Sequence, residues 1–163
     1  MRNKKSPHST SALRRRAAPA CEMCMHAGGA VLWRDVACRV IIVDDPDYPG
    51  YCRVIWNAHV REMTDLPAAG QRHCMRVVLA VESALRKVLK PHKVNLASFG
   101  NMTPHLHWHV IPRYTHDAHF PNPIWGARQP AATRPPGPKL PPRWRKLLSA
   151  ELAKSLRVRA STP

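Results

Sequence analysis

The chain has 163 residues, with 26 Lys or Arg against 10 Asp or Glu and a formal charge of +16. This length supports one sizeable core, so the expectation is one domain with tails. No apolar run approaches the roughly 20 residues of a membrane span, and no apolar stretch follows the basic start as it would in a secretory leader.

Taken whole, the charge suggests nucleic acid as a partner. Its distribution weakens that reading. Residues 1–20 hold six basic residues and no acid, residues 126–163 hold nine and only Glu151, and residues 21–125 are near +2. Nucleic-acid contact would therefore belong to the tails. Five cysteines, an odd number, argue against a disulfide framework and for a reducing cytoplasm.

In chain order, residues 1–20 (MRNKKSPHSTSALRRRAAPA) read as a disordered basic arm, although a transit peptide shares that composition. AVLWRD, RVIIVDD and CRVIWNAH are rich in β-branched and aromatic residues and predict three strands; DDPDYPGY is a turn. From Pro67 to Lys90 the period becomes helical, with Val78, Val81, Leu85, Val88 and Leu89 on one stripe. Asp65 is the expected N-cap, Pro67 falls early in the first turn, and Pro91 ends the helix. VNLASFG and HLHWHVIPRY follow as two strands joined by GNMTP. Beyond Trp125 the chain reads as a Pro-rich basic tail over 126–163, in which WRKLLSAELAKSLRVR suits a short amphipathic helix. The compact region is thus 21–125, α+β, with about five antiparallel strands and one long helix packed on them.

The last strand carries His105, His107 and His109 at alternate positions. On a strand these share a face and lie about 6.5–7 Å apart, while Leu106 and Trp108 point the other way. Surface histidines, a catalytic zinc site with three imidazole ligands, and nucleophilic chemistry on phosphate all fit the residue types. A neutral ring can attack phosphorus while its neighbours hold phosphoryl oxygens.

His105-Leu106-His107-Trp108-His109-Val110-Ile111, followed by Pro112-Arg113, resembles the signature of the histidine-triad family. The resemblance extends from Cys21 to Trp125 and includes the PGY turn, the helix and FGNMTP. It implies a homodimer with a shared sheet and a nucleotide as substrate. The implied chemistry is at the α-phosphate of a nucleoside derivative such as a dinucleoside polyphosphate or phosphoramidate, by hydrolysis or transfer. By position, His107 would be the nucleophile, forming a nucleotidyl-histidine; His109 would contact phosphate and leaving group, and His105 would support the site. Asn101 would contact phosphate, and Asn95 and Asp44 would lie near the sugar; each also suits an ordinary turn or cap. Tyr51 stands where many relatives carry a further histidine. This departure keeps open a catalytically weak nucleotide-binding module.

Cys21 and Cys24 form half a tetrahedral metal site. Some relatives complete such a pair with a histidine after the third strand and with the first histidine of the signature. Those positions are His59 and His105, which together imply a structural zinc and no organic cofactor. The alternative is two free thiols and an exposed histidine. His8, His26, His73, His92, His116 and His119 show no partner in the sequence and are expected to be solvated; Trp125 is expected in the core, with packing over the active-site edge or across a dimer seam as the alternative.

Overall fold

A computed structural model describes residues 21–130 and 140–158. The basic arm, most of the Pro-rich run and the last five residues lie outside these described residues, and the expectations for them go with them.

The elements run α1 (Glu22–Met25), β1 (Ala30–Arg34), β2 (Cys38–Ile42), β3 (Cys52–Trp56), α2 (Ala68–Leu89), β4 (Lys93–Ser98), β5 (His107–Arg113) and α3 (Trp144–Val158). The strands form one sheet in the order β1-β2-β3-β5-β4, every neighbouring pair antiparallel. The expected α+β architecture is present. None of the described helices is long and apolar enough to cross a membrane.

Alternation divides the sheet into two faces. Cys38, Val40, Ile42, Cys52, Val54 and Val110 pack on α2 through Val77, Val78, Val81, Leu85 and Leu89. Cross-strand register puts Arg53 opposite His109 and Ile55 opposite His107, so these four side chains share the other face. The period-two pattern of β5 thus separates a packing layer from a chemical layer.

Two local expectations change. Helix α2 is capped by Pro67, not Asp65. Asp65 ends a preceding 3-10 turn, Met63–Asp65, and its carboxylate accepts a bond from the Glu62 N–H at 3.2 Å. The helix stops where expected: Lys90 turns left-handed at φ 49°, and Pro91 follows. Gly50, at φ 91°, precedes Tyr51; a Cβ there would run into Leu89, so the PGY turn needs glycine both to bend and to lie against α2.

Helix α3 lies in the stretch read as a tail, yet it packs on α2 and β1. Leu148, Leu152 and Leu156 lie four residues apart, and all three are buried in the same core as the sheet. Burial of each contributes about 1.5–3 kcal/mol. The amphipathic pattern was readable, but the surface that receives it is assembled from β1 and α2 and has no local signal.

Candidate active site

A cleft of ≈ 630 Å³ opens on the chemical face of the sheet, lined by His107, His109, Arg53, Ile55 and Phe99 through Thr103. Glu22, Met23 and Gly28 close one side and Trp125 another. The volume lies in the range of small-ligand sites. Trp125 is not in the core: it is half-exposed and sits edge-on to Phe99 and His109, at 4.4 and 5.8 Å between ring centroids.

The three histidines do not address one object. His107 and His109 lie on β5 and face the cleft, whereas His105 precedes the strand, is fully buried, and turns to the two cysteines. Its Nε2 donates to the Trp56 carbonyl at 2.6 Å, which leaves the Nδ1 lone pair for the sulfurs. The reading in which all three rings ligate one catalytic zinc is corrected by this orientation.

The geometry fixes the tautomer of His107 and pairs His109 with a tyrosine. His107 Nδ1–H donates to the His105 carbonyl at 2.6 Å, so its Nε2 carries the free lone pair. The Tyr51 hydroxyl and His109 Nδ1 are hydrogen-bond partners; with the hydroxyl as donor, the His109 proton lies on Nε2. Burial raises the Tyr51 pKa, against the opposing pull of the Arg53 guanidinium, and keeps the phenol protonated for this bond. Burial lowers His107, offset in part by the bond to the His105 carbonyl; His109 falls to about 4 through burial and then the charges of His107 and Arg53. Near neutrality both rings are therefore uncharged, and the His107 Nε2 lone pair is available to an electrophile in the cleft.

The remaining expected residues divide. Asn101 lines the cleft. Asp44 is exposed and outside the lining residues. Asn95 lies on the histidine face of β4, two positions beyond Ala97, but its carboxamide oxygen accepts Arg113 Nη1 at 2.6 Å and it does not line the cleft either.

Cys21, Cys24, His59 and His105 converge, with all four donor atoms within 4.8 Å of one another. Cys21 Sγ lies 3.4 Å from His105 Nδ1, and Cys24 Sγ lies 3.4 and 3.5 Å from Nδ1 of His59 and His105. Tetrahedral zinc with its usual Zn–S and Zn–N lengths separates ligand atoms by about 3.3–3.8 Å. The donor set and spacing therefore fit zinc, and the Trp56 carbonyl fixes the His105 tautomer such a site needs.

Several working residues escaped sequence reasoning. Arg39 ties down the turn that carries the cysteines, bonding the carbonyls of Met23, His26 and Ala27 at 2.6, 3.2 and 3.1 Å. Arg53 enters the cleft from β3. Histidines expected to be solvated have partners: His73 meets Asp35 at 2.8 Å, His119 hydrogen-bonds Tyr48, and His92 Nδ1 accepts the Thr115 N–H at 3.4 Å. Basic residues on strands that read as apolar runs were the available signal for Arg39 and Arg53.

Residues 27–116 match the HIT domain. The chain belongs to the HIT family. Its HIT domain is 29% identical over 89 residues to an AP-4-A phosphorylase of Mycobacterium tuberculosis; that match covers 51% of this chain, which spans about half (46%) of the relative's length. Among solved structures, histidine triad proteins from Marinobacter aquaeolei and Bradyrhizobium japonicum are 27% and 26% identical, each with a TM-score of 0.61. They cover 84% and 79% of this chain and 94% and 91% of their own. A zinc-bound histidine triad family protein from Mycobacterium smegmatis shares the fold at 23% identity and a TM-score of 0.59, with 85% of this chain and 97% of that one covered.

Proposed function

We propose that the HIT domain transfers a nucleotidyl group from a nucleoside polyphosphate or related derivative, through a covalent adduct on His107. The observation that carries this reading is the lone pair left on His107 Nε2, beside His109 in one cleft. His107 Nε2 attacks the α-phosphorus. The P–N bond forms and the P–O bond to the leaving group breaks with its electron pair, so the polyphosphate leaves as an oxyanion that accepts a hydrogen bond from the His109 ring N–H. A phosphate oxyanion or a water molecule then attacks phosphorus, the P–N bond breaks to return neutral His107, and where water is the acceptor its proton passes to solvent. Asn101, which lines the cleft, would donate to a phosphoryl oxygen.

The similarity to an AP-4-A phosphorylase supports a dinucleoside polyphosphate as donor and inorganic phosphate as a candidate acceptor beside water. A panel of dinucleoside polyphosphates, nucleoside phosphoramidates and nucleotidyl sugars, each assayed with and without phosphate, tests this. Phosphorolysis yields a nucleoside diphosphate where hydrolysis yields the monophosphate. Saturable binding with no turnover of any donor would instead favour a nucleotide-binding module, the reading that Tyr51 keeps open.

We also assign a structural zinc to Cys21, Cys24, His59 and His105, the four residues whose donor spacing fits it. When bound, zinc would lock the first turn of the domain onto His105 and hold the carbonyl that orients His107. Cys21→Ser is expected to lower zinc content from about one per chain to well below half by metal analysis, and to lower the melting temperature. Unchanged metal content would refute the ligand set. Sedimentation of the same samples reads the oligomer. Homodimer formation has the open edge of β4 available, where Leu96 is 36% exposed.

A further inference from the structure

Arg53 is the cation that β3 sends into the cleft. Its strand reads CRVIW, and the next residue on the same face is Ile55. The guanidinium sits over the Tyr51 ring, 5.6 Å from its centroid. Its Nε is buried and has no hydrogen-bond partner. None of the ion pairs among the described residues involves it. An arginine with an orphaned, buried N–H and no carboxylate is costly to the fold by itself, and one that lines an open cleft is arranged for an incoming anion.

Register says where that anion would lie. Arg53 stands directly opposite His109, and Ile55 opposite His107. The positive charge is therefore displaced by one same-face step, about 6.5–7 Å, from the level of the nucleophile. The phosphorus under attack belongs beside His107; a neighbouring phosphate belongs beside His109 and Arg53.

We propose that Arg53, flanked by Tyr51 and His109, is a phosphate-binding subsite for the group adjacent to the one attacked. This assignment rests on the nucleotidyl-transfer reading above. The shared ligand chemistry is a phosphate oxyanion, which has two sources: the leaving polyphosphate of the donor, or inorganic phosphate as acceptor. A guanidinium suits either, because its charge does not titrate and its N–H fork matches phosphate oxygens. It also supplies the positive charge that Tyr51, uncharged near neutrality, does not.

The test uses the full chain with Arg53→Met, which keeps length and removes charge, and Arg53→Lys, which keeps charge and removes the fork. A dinucleoside tetraphosphate is compared with a nucleoside phosphoramidate whose leaving amine is uncharged. Arg53→Met is expected to lower kcat/KM for the tetraphosphate by roughly 10–100-fold, the size of a charged hydrogen bond, and that for the phosphoramidate by less than about 3-fold. Arg53→Lys should recover part of the loss. If the subsite serves the acceptor, the KM for inorganic phosphate rises and hydrolysis is spared; if it serves the leaving group, both reactions fall. Equal losses of hydrolysis on the two donors, or no loss of hydrolysis together with an unchanged KM for inorganic phosphate, would overturn the assignment.

A second readout does not depend on turnover. Inorganic phosphate and pyrophosphate, titrated while the His109 ring and Arg53 Nε–H resonances are followed, should shift both signals in the wild type and bind at least about tenfold more weakly to Arg53→Met. Wild-type protein that turns over no donor but shows this difference would sink the transfer reading and leave the subsite standing. Anion binding indifferent to Arg53 would sink the subsite alone.

Discussion

His107→Ala is expected to lower kcat/KM by at least about 10⁴-fold for every donor the wild type accepts, a loss of about 5 kcal/mol in transition-state stabilisation. The size follows from the role. A nucleophile that forms the covalent bond has no neighbour able to replace it: His105 is committed to the cysteines and the Trp56 carbonyl, and His109 is tied to the Tyr51 hydroxyl through Nδ1. Nucleotide binding should change far less, because Arg53, Asn101, Phe99 and Trp125 remain in the cleft. Fold should be retained, since His107 gives up one hydrogen bond to the His105 carbonyl and borders open space. Rapid acid quench of wild-type turnover, followed by peptide mass analysis, should find the nucleotidyl group on His107. Full activity in the alanine variant, or an adduct on another residue, would show that the nucleophile has been misassigned.

The second large effect concerns stability. Asp117→Ala is expected to destabilise the protein by about 3–5 kcal/mol, the usual cost of removing one partner from a buried ion pair. Arg113 Nε and Nη2 reach the two oxygens of Asp117 at 2.7 and 3.0 Å, and both side chains are almost wholly buried. The same carboxylate also accepts the backbone N–H groups of Tyr114, His119 and Phe120 at 3.2, 2.9 and 2.7 Å. It thus folds the loop that leads from β5 to Trp125. For a chain of this size the melting temperature should fall by roughly 6–20 °C.

The pH dependence has a defined sign. Burial alone would raise the Asp117 pKa; hydrogen bonds from Arg113 and from the backbone of His119 and Tyr114 outweigh it and hold the carboxyl below its ordinary 3.8. A carboxylate depressed in the native state contributes stability above its unfolded pKa and loses it as pH falls through the native value. Wild-type stability should therefore drop from pH 4 downward, and Asp117→Asn should lack that component. Urea unfolding at pH 7, 5 and 3 measures both. An alanine variant within about 1 kcal/mol of wild type would show that the loop is held by other contacts.

The candidate site was legible to different depths. The alternation of His107 and His109 with Trp108 and Val110 announces a strand with one chemical and one packed face, because side-chain direction on a strand depends only on residue parity. The signature pointed to the same two residues. Extending that parity to His105 failed: β5 begins at His107, and the His105 ring swings to the thiols some eighty residues earlier. Tyr51 was noted as a departure from relatives, but its bond to His109 becomes visible only when β3 is laid beside β5. Asp44 and Asn95, placed by resemblance near the sugar, lie outside the cleft once loop paths are known.

By itself the sequence determined the strand and helix periods, the Cys21–Cys24 spacing, and the chemical face of β5, since each is encoded within a few residues of chain. Tertiary structure alone decided what those features meet. It brought Arg53 level with His109, buried the Arg113–Asp117 pair under the loop, set Trp125 on the cleft rim instead of in the core, and gave α3 a surface to cover. The physical reason is that register and helix docking are fixed by the burial of one shared apolar core. That core is built from residues distant in sequence, so no local window records which side chains it will place in contact.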